Sequence, residues 1–329
     1  MLIEGATGTD LARVDNLTKH FPVTRGTVLR RLVGTVKAVD GVSFSIGHGR
    51  TLGLVGESGC GKSTVGRLLV RLIDPTAGSI MLEGTDISRL DGEAMFRHRR
   101  NLQFVFQDPM SSLNPRMTVE QIIAEPLVVQ GAPAAEQRAR VGELLGLVGL
   151  APQHRTRYPH EFSGGQRQRI GIARALATNP RFVVCDEAVS ALDVSVQAQI
   201  VNLLKRLQHE LGLSYLFVAH DLSVVRHMSD DVAVMYLGRI VEIGDRRRIF
   251  AAPAHPYTRA LLSSVPAPRS SPRRAARTLL SGELPSPINP PGGCTFHTRC
   301  PVAIARCKLE RPALRPVETG QAAACHLLE

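Results

Sequence analysis

The stretch Gly56-Glu57-Ser58-Gly59-Cys60-Gly61-Lys62-Ser63-Thr64 constrains this chain more than any other. An apolar run, Thr51 to Val55, precedes it and reads as a short buried strand. Val65 to Leu72 follows with helical spacing. Strand, glycine-rich turn and helix in that order are the context in which G-x-x-x-x-G-K-[ST] cradles phosphate. The glycines let the backbone wrap tightly, so that its N–H groups and the helix N-terminus converge on one anion. Lys62 is then placed for the β- and γ-phosphates of a nucleoside triphosphate, and the Ser63 hydroxyl for Mg²⁺. The expected fold is α/β, built around this phosphate loop.

At 329 residues the chain can bury a sizeable core and fits one large domain with an appendage. Hydrophobic and charged fractions of 43 % and 21 % are ordinary for a soluble chain. No run of about 18 apolar residues is present to span a membrane. Met1-Leu2-Ile3-Glu4 lacks a basic region followed by an apolar core, so no secretory signal is expected and the chain should stay in the cytoplasm. The net charge of +11 and pI near 10.0 admit nucleic acid or an anionic membrane surface as partners. The basic residues are nevertheless spread along the chain, with local clusters at Arg246-Arg247-Arg248 and Arg269 to Arg277. Charge alone decides nothing.

Residues 11 to 55 read as β, with a turn signal at Asp40-Gly41. Phe21 stands alone among polar neighbours before Pro22. From Gly92 to about Pro159 helical spacing dominates, notably in Val119 to Val129 and Gln137 to Leu150, as in a helical insertion on a mononucleotide-binding core. Leu102 to Gln107 is a strand at its entrance. Val194 to Leu211 carries an apolar stripe through Val196, Ile200, Leu203, Leu204, Leu207 and Leu211, with Asp193 placed as N-cap. Ser214 to Ala219 is a strand that ends at His220, and Val232 to Tyr236 with Ile240 to Ile243 reads as a hairpin about Leu237-Gly238-Arg239. After Val265 the composition turns to Pro, Ser and Arg, a linker over 266 to 277.

Asp186-Glu187 closes the apolar strand Phe182 to Cys185. Two acids at a strand end are common, but a phosphate loop needs such a partner. Asp186 is then the Mg²⁺ ligand, through water, and Glu187 orients and deprotonates the attacking water. Ser163-Gly164-Gly165-Gln166 opens a helix with two glycines and a hydroxyl, a second anion site. One triphosphate does not need two such sites on one subunit. Two subunits head to tail do, each nucleotide lying between one phosphate loop and the other's Ser-Gly-Gly.

In these features the chain resembles the ATP-binding cassette family, the ATPase subunits of ABC transporters, from about residue 11 to residue 265. Gly56 to Thr64 matches its Walker A motif, Gln107 its Q-loop, Phe162 to Gln166 its signature, and Phe182 to Asp186 its Walker B. Ser190 to Asp193 matches the D-loop and His220 the switch histidine. The resemblance implies Glu187 as catalytic carboxylate, Gln107 touching Mg²⁺ and water, and His220 near the γ-phosphate. It also implies Asp193 at the opposite subunit and Phe21 stacked on adenine. Ala188 departs from the Pro that many relatives carry, without loss of a catalytic group.

Phe106 to Thr118, Ser190 to Gln199, His255 to Leu262 and the tail from Leu280 to His326 further resemble the dipeptide, oligopeptide and nickel importer subfamily, its second ATPase subunit in particular. This implies an α/β P-loop NTPase core with an N-terminal antiparallel β region, a helical subdomain at about 92–180, and a small Cys-containing extension at 266–329. It implies ATP and Mg²⁺ as ligands. The implied partners are a similar but distinct ATPase chain, two membrane permease subunits and an extracytoplasmic peptide-binding protein, at the cytoplasmic face of the membrane. Peptide is the implied solute, with nickel or another small solute as alternative. A soluble ABC-type ATPase on nucleic acid or ribosomes is the rival, but those usually carry two cassettes or a long coiled coil. No nucleic-acid partner is expected.

Cys294, Cys300, Cys307 and Cys325 crowd into the tail as C-x₅-C-x₆-C-x₁₇-C. In a reducing compartment such a group reads as metal-binding or redox-active, for Zn²⁺ or an iron–sulfur cluster. The loose spacing suits the larger [4Fe–4S] cluster, which some relatives with this tail are held to carry.

Overall fold

The strand that leads to the glycine-rich turn and the helix that leaves it are both formed in the computed structural model, which describes residues 10–25, 31–264, 282–318 and 320–328. The linker stretch 266–277, Leu280, Ser281 and the N-terminal Met1 to Glu4 lie outside the described residues. Internal contacts divide the chain into two units. One comprises Met1–Ser45, Leu52–Ser88 and Ala219–Glu329, the other Ile46–Thr51 and Arg89–Val218.

In the first unit, Arg31–Gly47, Asp10–Arg25, Ala77–Leu82 and Thr85–Asp86 lie side by side in that order. Asp10–Arg25 and Ala77–Leu82 are antiparallel, with Val14 opposite Ile80. The Asp40-Gly41 turn signal is a misreading: Arg31–Gly47 runs through it as one strand. Buried positions change parity there, from Val39 to Val42, Phe44 and Ile46. Gly41 at φ 77° takes the left-handed backbone at this shift, which glycine adopts without a Cβ penalty. Asp40 is held in place: its N–H donates to the Gly238 carbonyl at 2.8 Å, and its carboxylate accepts from Arg239 at 2.6 Å.

Also in this unit, the strand Thr51–Val55 runs parallel to Asp231–Tyr236, which turns back into antiparallel Arg239–Asp245. The expected hairpin is present. Leu237 and Gly238 have φ of 42° and 78°, the pair of positive angles that a two-residue turn matching strand twist requires. The C-terminal segment continues this edge: Ala322–Ala323 pairs with Arg239–Asp245, and Arg315–Pro316 with Ala322–Ala323. Glu242, fully buried at this join, accepts from the N–H groups of Ala254 and His255 and from the Gln321 amide at 2.7, 2.9 and 2.8 Å. Three donors make the burial of its carboxyl tolerable.

The second unit carries three parallel strands, Leu102–Val105, Phe182–Asp186 and Ser214–Val218. The latter two are buried at every position, which is why Phe182 to Cys185 and Tyr215 to Val218 are unbroken apolar runs rather than alternating ones. Helices Val119–Val129, Ala134–Leu147, Gly164–Leu176 and Val194–Leu211 accompany them. Three of the four start on side-chain caps: Thr118, Ser163 and Asp193 each accept from a backbone N–H of the first turn. Such a cap contributes about 1 kcal/mol and fixes where the helix begins.

Candidate functional site

In the first unit the glycine-rich turn enters helix Lys62–Leu69 through Gly61, with no side chain capping the helix start. An anion is therefore not in competition with a cap for those N–H groups. Two glycines here are sterically required. A Cβ on Gly56 would lie 2.1 Å from the Met235 carbonyl oxygen, and one on Gly61, at φ 105°, 2.0 Å from that of Ala38. The Lys62 ammonium, almost wholly buried, spans the loop and donates to the Gly56 and Glu57 carbonyls at 2.8 and 3.0 Å. Cys60 is buried beside it, and burial raises its thiol pKa. Buried and neutral, it is a packing residue of the loop, not a nucleophile. Ser63 and Thr64 occupy the first turn of the helix, and Ser58 and Gly59 the turn before it.

Besides the Gly238 N–H, which donates to the Cys60 carbonyl at 2.9 Å, the side chains of Tyr257 and Arg299 hold this loop from outside the motif. The Tyr257 hydroxyl accepts from the Glu57 N–H at 2.9 Å. Arg299 donates through both terminal guanidinium nitrogens, Nη1 and Nη2, to the Glu57 carboxylate, at 2.6 and 3.0 Å. His220 stands exposed one residue beyond Ala219, whose N–H donates to the Leu54 carbonyl at 3.3 Å. It is thereby tethered beside the strand that feeds the loop. Phe21, 37 % exposed on Asp10–Arg25, presents its ring with the Lys19 ammonium 5.1 Å from the centroid. An exposed aromatic face of this kind can take a planar base.

In the second unit Gln107 donates its side-chain amide to the Glu187 carboxylate at 2.7 Å. Asp186 is buried as the last residue of Phe182–Asp186, and Glu187 follows with φ 45°. A non-glycine residue in that region costs about 1–3 kcal/mol and persists only where its surroundings hold it. Here they do. The Glu187 N–H donates to Val218 at 2.9 Å, and its carbonyl accepts from the Ser190 N–H and hydroxyl at 3.0 Å each. Strained backbone thus aims the carboxylate at Gln107.

Ser163 and Gly164 are exposed at the start of Gly164–Leu176, while Gly165 is buried. The sequence reading gave both glycines an anion-binding task. For Gly165 packing already demands glycine, since a Cβ there would lie 2.4 Å from Val196 Cγ1. The Ser163 hydroxyl and Gln166 close a reciprocal cap, with bonds of 3.4 and 3.0 Å. Asp193 accepts from the Val196 N–H at 3.0 Å and the Ser195 hydroxyl at 2.7 Å, so its carboxylate caps its own helix.

Ser63 in the first unit, and Asp186 and Gln107 in the second, each carry a hard oxygen donor of the kind Mg²⁺ takes. Burial foremost, with Cys307, Cys325 and Cys300 adding to it, pushes the Cys294 thiol up to about 11. The Cys294 N–H donates to the Cys307 carbonyl at 2.8 Å. Among the described residues, however, no group of three or more Cys, His, Asp or Glu is gathered closely enough to hold a metal ion. The thiols share a neighbourhood without forming a ligand shell.

Two family models match this chain: "ABC transporter" over residues 39–190, and "Oligopeptide/dipeptide transporter, C-terminal region" over residues 241–307. The putative oligopeptide transport ATP-binding protein YkfD of Bacillus subtilis is 56 % identical over 321 residues, covering 96 % of this chain and 95 % of that one. The oligopeptide transport ATP-binding protein AppF of the same organism is 55 % identical, covering 95 % of each. Among solved structures, the ATP-binding cassette MJ0796, a dimer in a post-hydrolysis state with ADP and Pi, superposes with a TM-score of 0.63 at 29 % identity. That match covers 72 % of this chain and 99 % of MJ0796. CbiO1 of Clostridium perfringens, part of the transporter complex cbiONQ, gives 0.64 at 27 % identity, over 74 % of this chain and 92 % of that one. With a phosphate loop, a held catalytic-type carboxylate and relatives this similar over nearly its whole length, the chain belongs to the ABC transporter ATPases, in their oligopeptide/dipeptide group.

Proposed function

We propose that this protein hydrolyses ATP to drive import of di- or oligopeptides through a membrane transporter. The observation that carries the reading is the pairing of both family segments in one chain, with relatives above 50 % identical over almost all of it named as oligopeptide transport ATP-binding proteins. Residues 11–265 serve as the nucleotide-binding domain and 266–329 as its extension. Lys62 and the N–H groups of Gly56 to Thr64 take the phosphates, and Phe21 the adenine. Ser63, Asp186 and Gln107 hold Mg²⁺, which neutralises charge on the phosphates. Glu187, oriented by Gln107, takes the proton of the attacking water, and His220 meets the γ-phosphate. The Ser163 to Gln166 turn, exposed at Ser163 and Gly164, and Asp193 face the nucleotide of a second ATPase subunit, a similar but distinct chain. Two permease subunits receive the motion through the surface about Gln107 to Met117, where Met110 is 59 % exposed. The assembly sits at the cytoplasmic face of the membrane, fed by an extracytoplasmic binding protein.

Because each composite site needs two chains, the isolated protein should hydrolyse ATP slowly and accelerate at least tenfold with its partner ATPase and permease in vesicles. Full activity in a verified monomer refutes the composite site, and ATP-dependent uptake of a non-peptide solute alone refutes the substrate class. For the tail we propose a soft-metal site at Cys294, Cys300, Cys307 and Cys325, a [4Fe–4S] cluster ahead of Zn²⁺. It is supported by the four soft thiols the sequence gathers in the tail and by the Cys294 N–H bond to the Cys307 carbonyl at 2.8 Å. Protein purified without oxygen should carry iron and sulfide in near-equal amounts and lose both in Cys300→Ser. Stoichiometric zinc in colourless protein transfers the site to zinc, and absence of either metal removes it.

A further inference from the structure

Glu57 occupies the position after the first glycine of the phosphate loop, where the motif specifies no residue type. In this chain it is anchored three ways. Its N–H donates to the Tyr257 hydroxyl, its carbonyl accepts from Lys62, and its carboxylate receives both arms of Arg299. Arg299 belongs to the cysteine-bearing extension, 242 residues away in sequence and immediately before Cys300.

The Arg299 contact is built, not incidental. The side chain is 6 % exposed, against 26 % for Glu57. A bidentate guanidinium–carboxylate pair fixes orientation as well as distance, which a single ammonium contact does not. The guanidinium also lies 6.0 Å from the centre of the Tyr236 ring. Phe296, three residues earlier and buried, packs edge-on against Tyr236 and tilted against Tyr257, both with centroids 5.3 Å apart. The extension therefore reaches the loop by two routes, Arg299 directly and Phe296 through Tyr257.

We propose that Arg299 is a positioning residue for ATP binding, holding Glu57 so that the loop and Lys62 are arranged for phosphate before the nucleotide arrives. The chain of contacts is short. Arg299 fixes the Glu57 side chain, the Glu57 carbonyl fixes Lys62, and Lys62 meets the phosphates. Preorganisation of this kind lowers the cost of binding and leaves the chemical step to other residues. Arg299 acts through Glu57, and its loss acts on affinity. The C-terminal extension is then a working part of the nucleotide site. The inference rests on the reading of Gly56 to Thr64 as the ATP phosphate site.

The test is titration of the full-length protein with a fluorescent ATP analogue, alongside ATPase kinetics of the assembled transporter. Arg299→Ala should raise the dissociation constant and the KM for ATP about five- to tenfold, with kcat at saturating ATP changed less than twofold. Arg299→Lys, which keeps the charge but loses one arm, should fall between. Glu57→Ala should match Arg299→Ala, and the double variant should be no worse than either, since both remove one pair. Unchanged affinity in both Arg299 variants, or additive losses in the double variant, overturns the role of Arg299. A loss confined to kcat overturns it as well. If Arg299→Ala does not fold, Arg299→Lys and Glu57→Gln, which keep the volume, carry the comparison. Failure of the wild-type protein to bind the analogue would instead remove the ATP-site reading itself.

Discussion

Replacing Glu187 with Gln isolates one proton. The amide has the size of the carboxylate, so the backbone at φ 45°, its N–H bond to the Val218 carbonyl and the bonds its carbonyl accepts from Ser190 are unaffected. The Gln107 amide, now 2.7 Å from a carboxylate oxygen, can donate equally to an amide oxygen. What changes there is a charge-assisted bond for a neutral one, about 1 kcal/mol at a site open to water. ATP affinity should therefore stay within about threefold, since about 0.6 kcal/mol corresponds to that factor and Glu187 is given no phosphate contact. Catalysis is another matter. A positioned general base contributes about 10²–10⁴-fold, which is about 2.7–5.4 kcal/mol of barrier. Phosphate release by the assembled transporter should fall by that factor, and the ATP-bound closed form should accumulate in size-exclusion profiles. Lys62→Ala provides the contrast. It removes the ammonium now held by Gly56 and Glu57, and should abolish binding before any chemistry. A Glu187→Gln enzyme slowed less than tenfold would refute the role given to that carboxylate. So would one whose affinity collapsed as in Lys62→Ala.

Two further outcomes follow from the first unit. Gly61→Ala adds a Cβ 2.0 Å from the Ala38 oxygen at φ 105°, so the loop must shift; left-handed strain and overpacking together should cost about 2–5 kcal/mol, read as a fall in Tm, with nucleotide binding lost. His255 is buried, its Nδ1 accepts from the Tyr257 N–H at 3.0 Å, and burial lowers its pKa to about 3. Because the folded pKa lies below the unfolded value of about 6.5, the unfolded chain takes up the proton first as pH falls. Stability is full above about pH 6.5 and should drop by about 1.4 kcal/mol per pH unit from there toward pH 3. Urea unfolding at pH 7.5, 6 and 5 should show that slope, and His255→Asn, which can still cap Pro256–Ser263, should flatten it by one proton.

What was legible in the sequence was what short-range physics encodes. Val194–Leu211 begins and ends where the Asp193 cap and the stripe from Val196 to Leu211 place it, and Val119–Val129 likewise. Phe182–Asp186 announces itself because a strand buried on both faces needs an unbroken apolar run. The Asp40-Gly41 signal is ambiguous because a turn and a left-handed residue inside a continuous strand both call for glycine at positive φ. Only the parity of Val39 against Val42, Phe44 and Ile46 separates them, and parity acquires meaning once the buried face is known. The second signature glycine shows the converse ambiguity. Anion binding and helix contact both call for glycine, and Val196, thirty-one positions on, is what makes the contact reading sufficient.

The Arg299–Glu57 pair marks where sequence reading stops. Neither residue sits at a position with a period, a cap or a turn to betray it, and each alone is an ordinary charged residue. A buried guanidinium must find an acceptor, because leaving it unpaired costs far more than any exposed pair contributes. The acceptor it finds is Glu57, a loop position the motif leaves unspecified, whose carbonyl accepts from Lys62. The same tertiary contact satisfies the extension's buried charge and stiffens the loop. If the extension were an independent appendage, a neutral residue at either position would relieve the burial at no cost to the loop, and the three-way anchoring of Glu57 would have no use. Because one residue joins all three anchors, stability of the tail and readiness of the phosphate loop should rise and fall together. Hydrogen exchange at Glu57 and Cys60 in Arg299→Ala is the direct measure: faster exchange at both, with the Phe182–Asp186 strand unchanged, is the pattern this coupling requires.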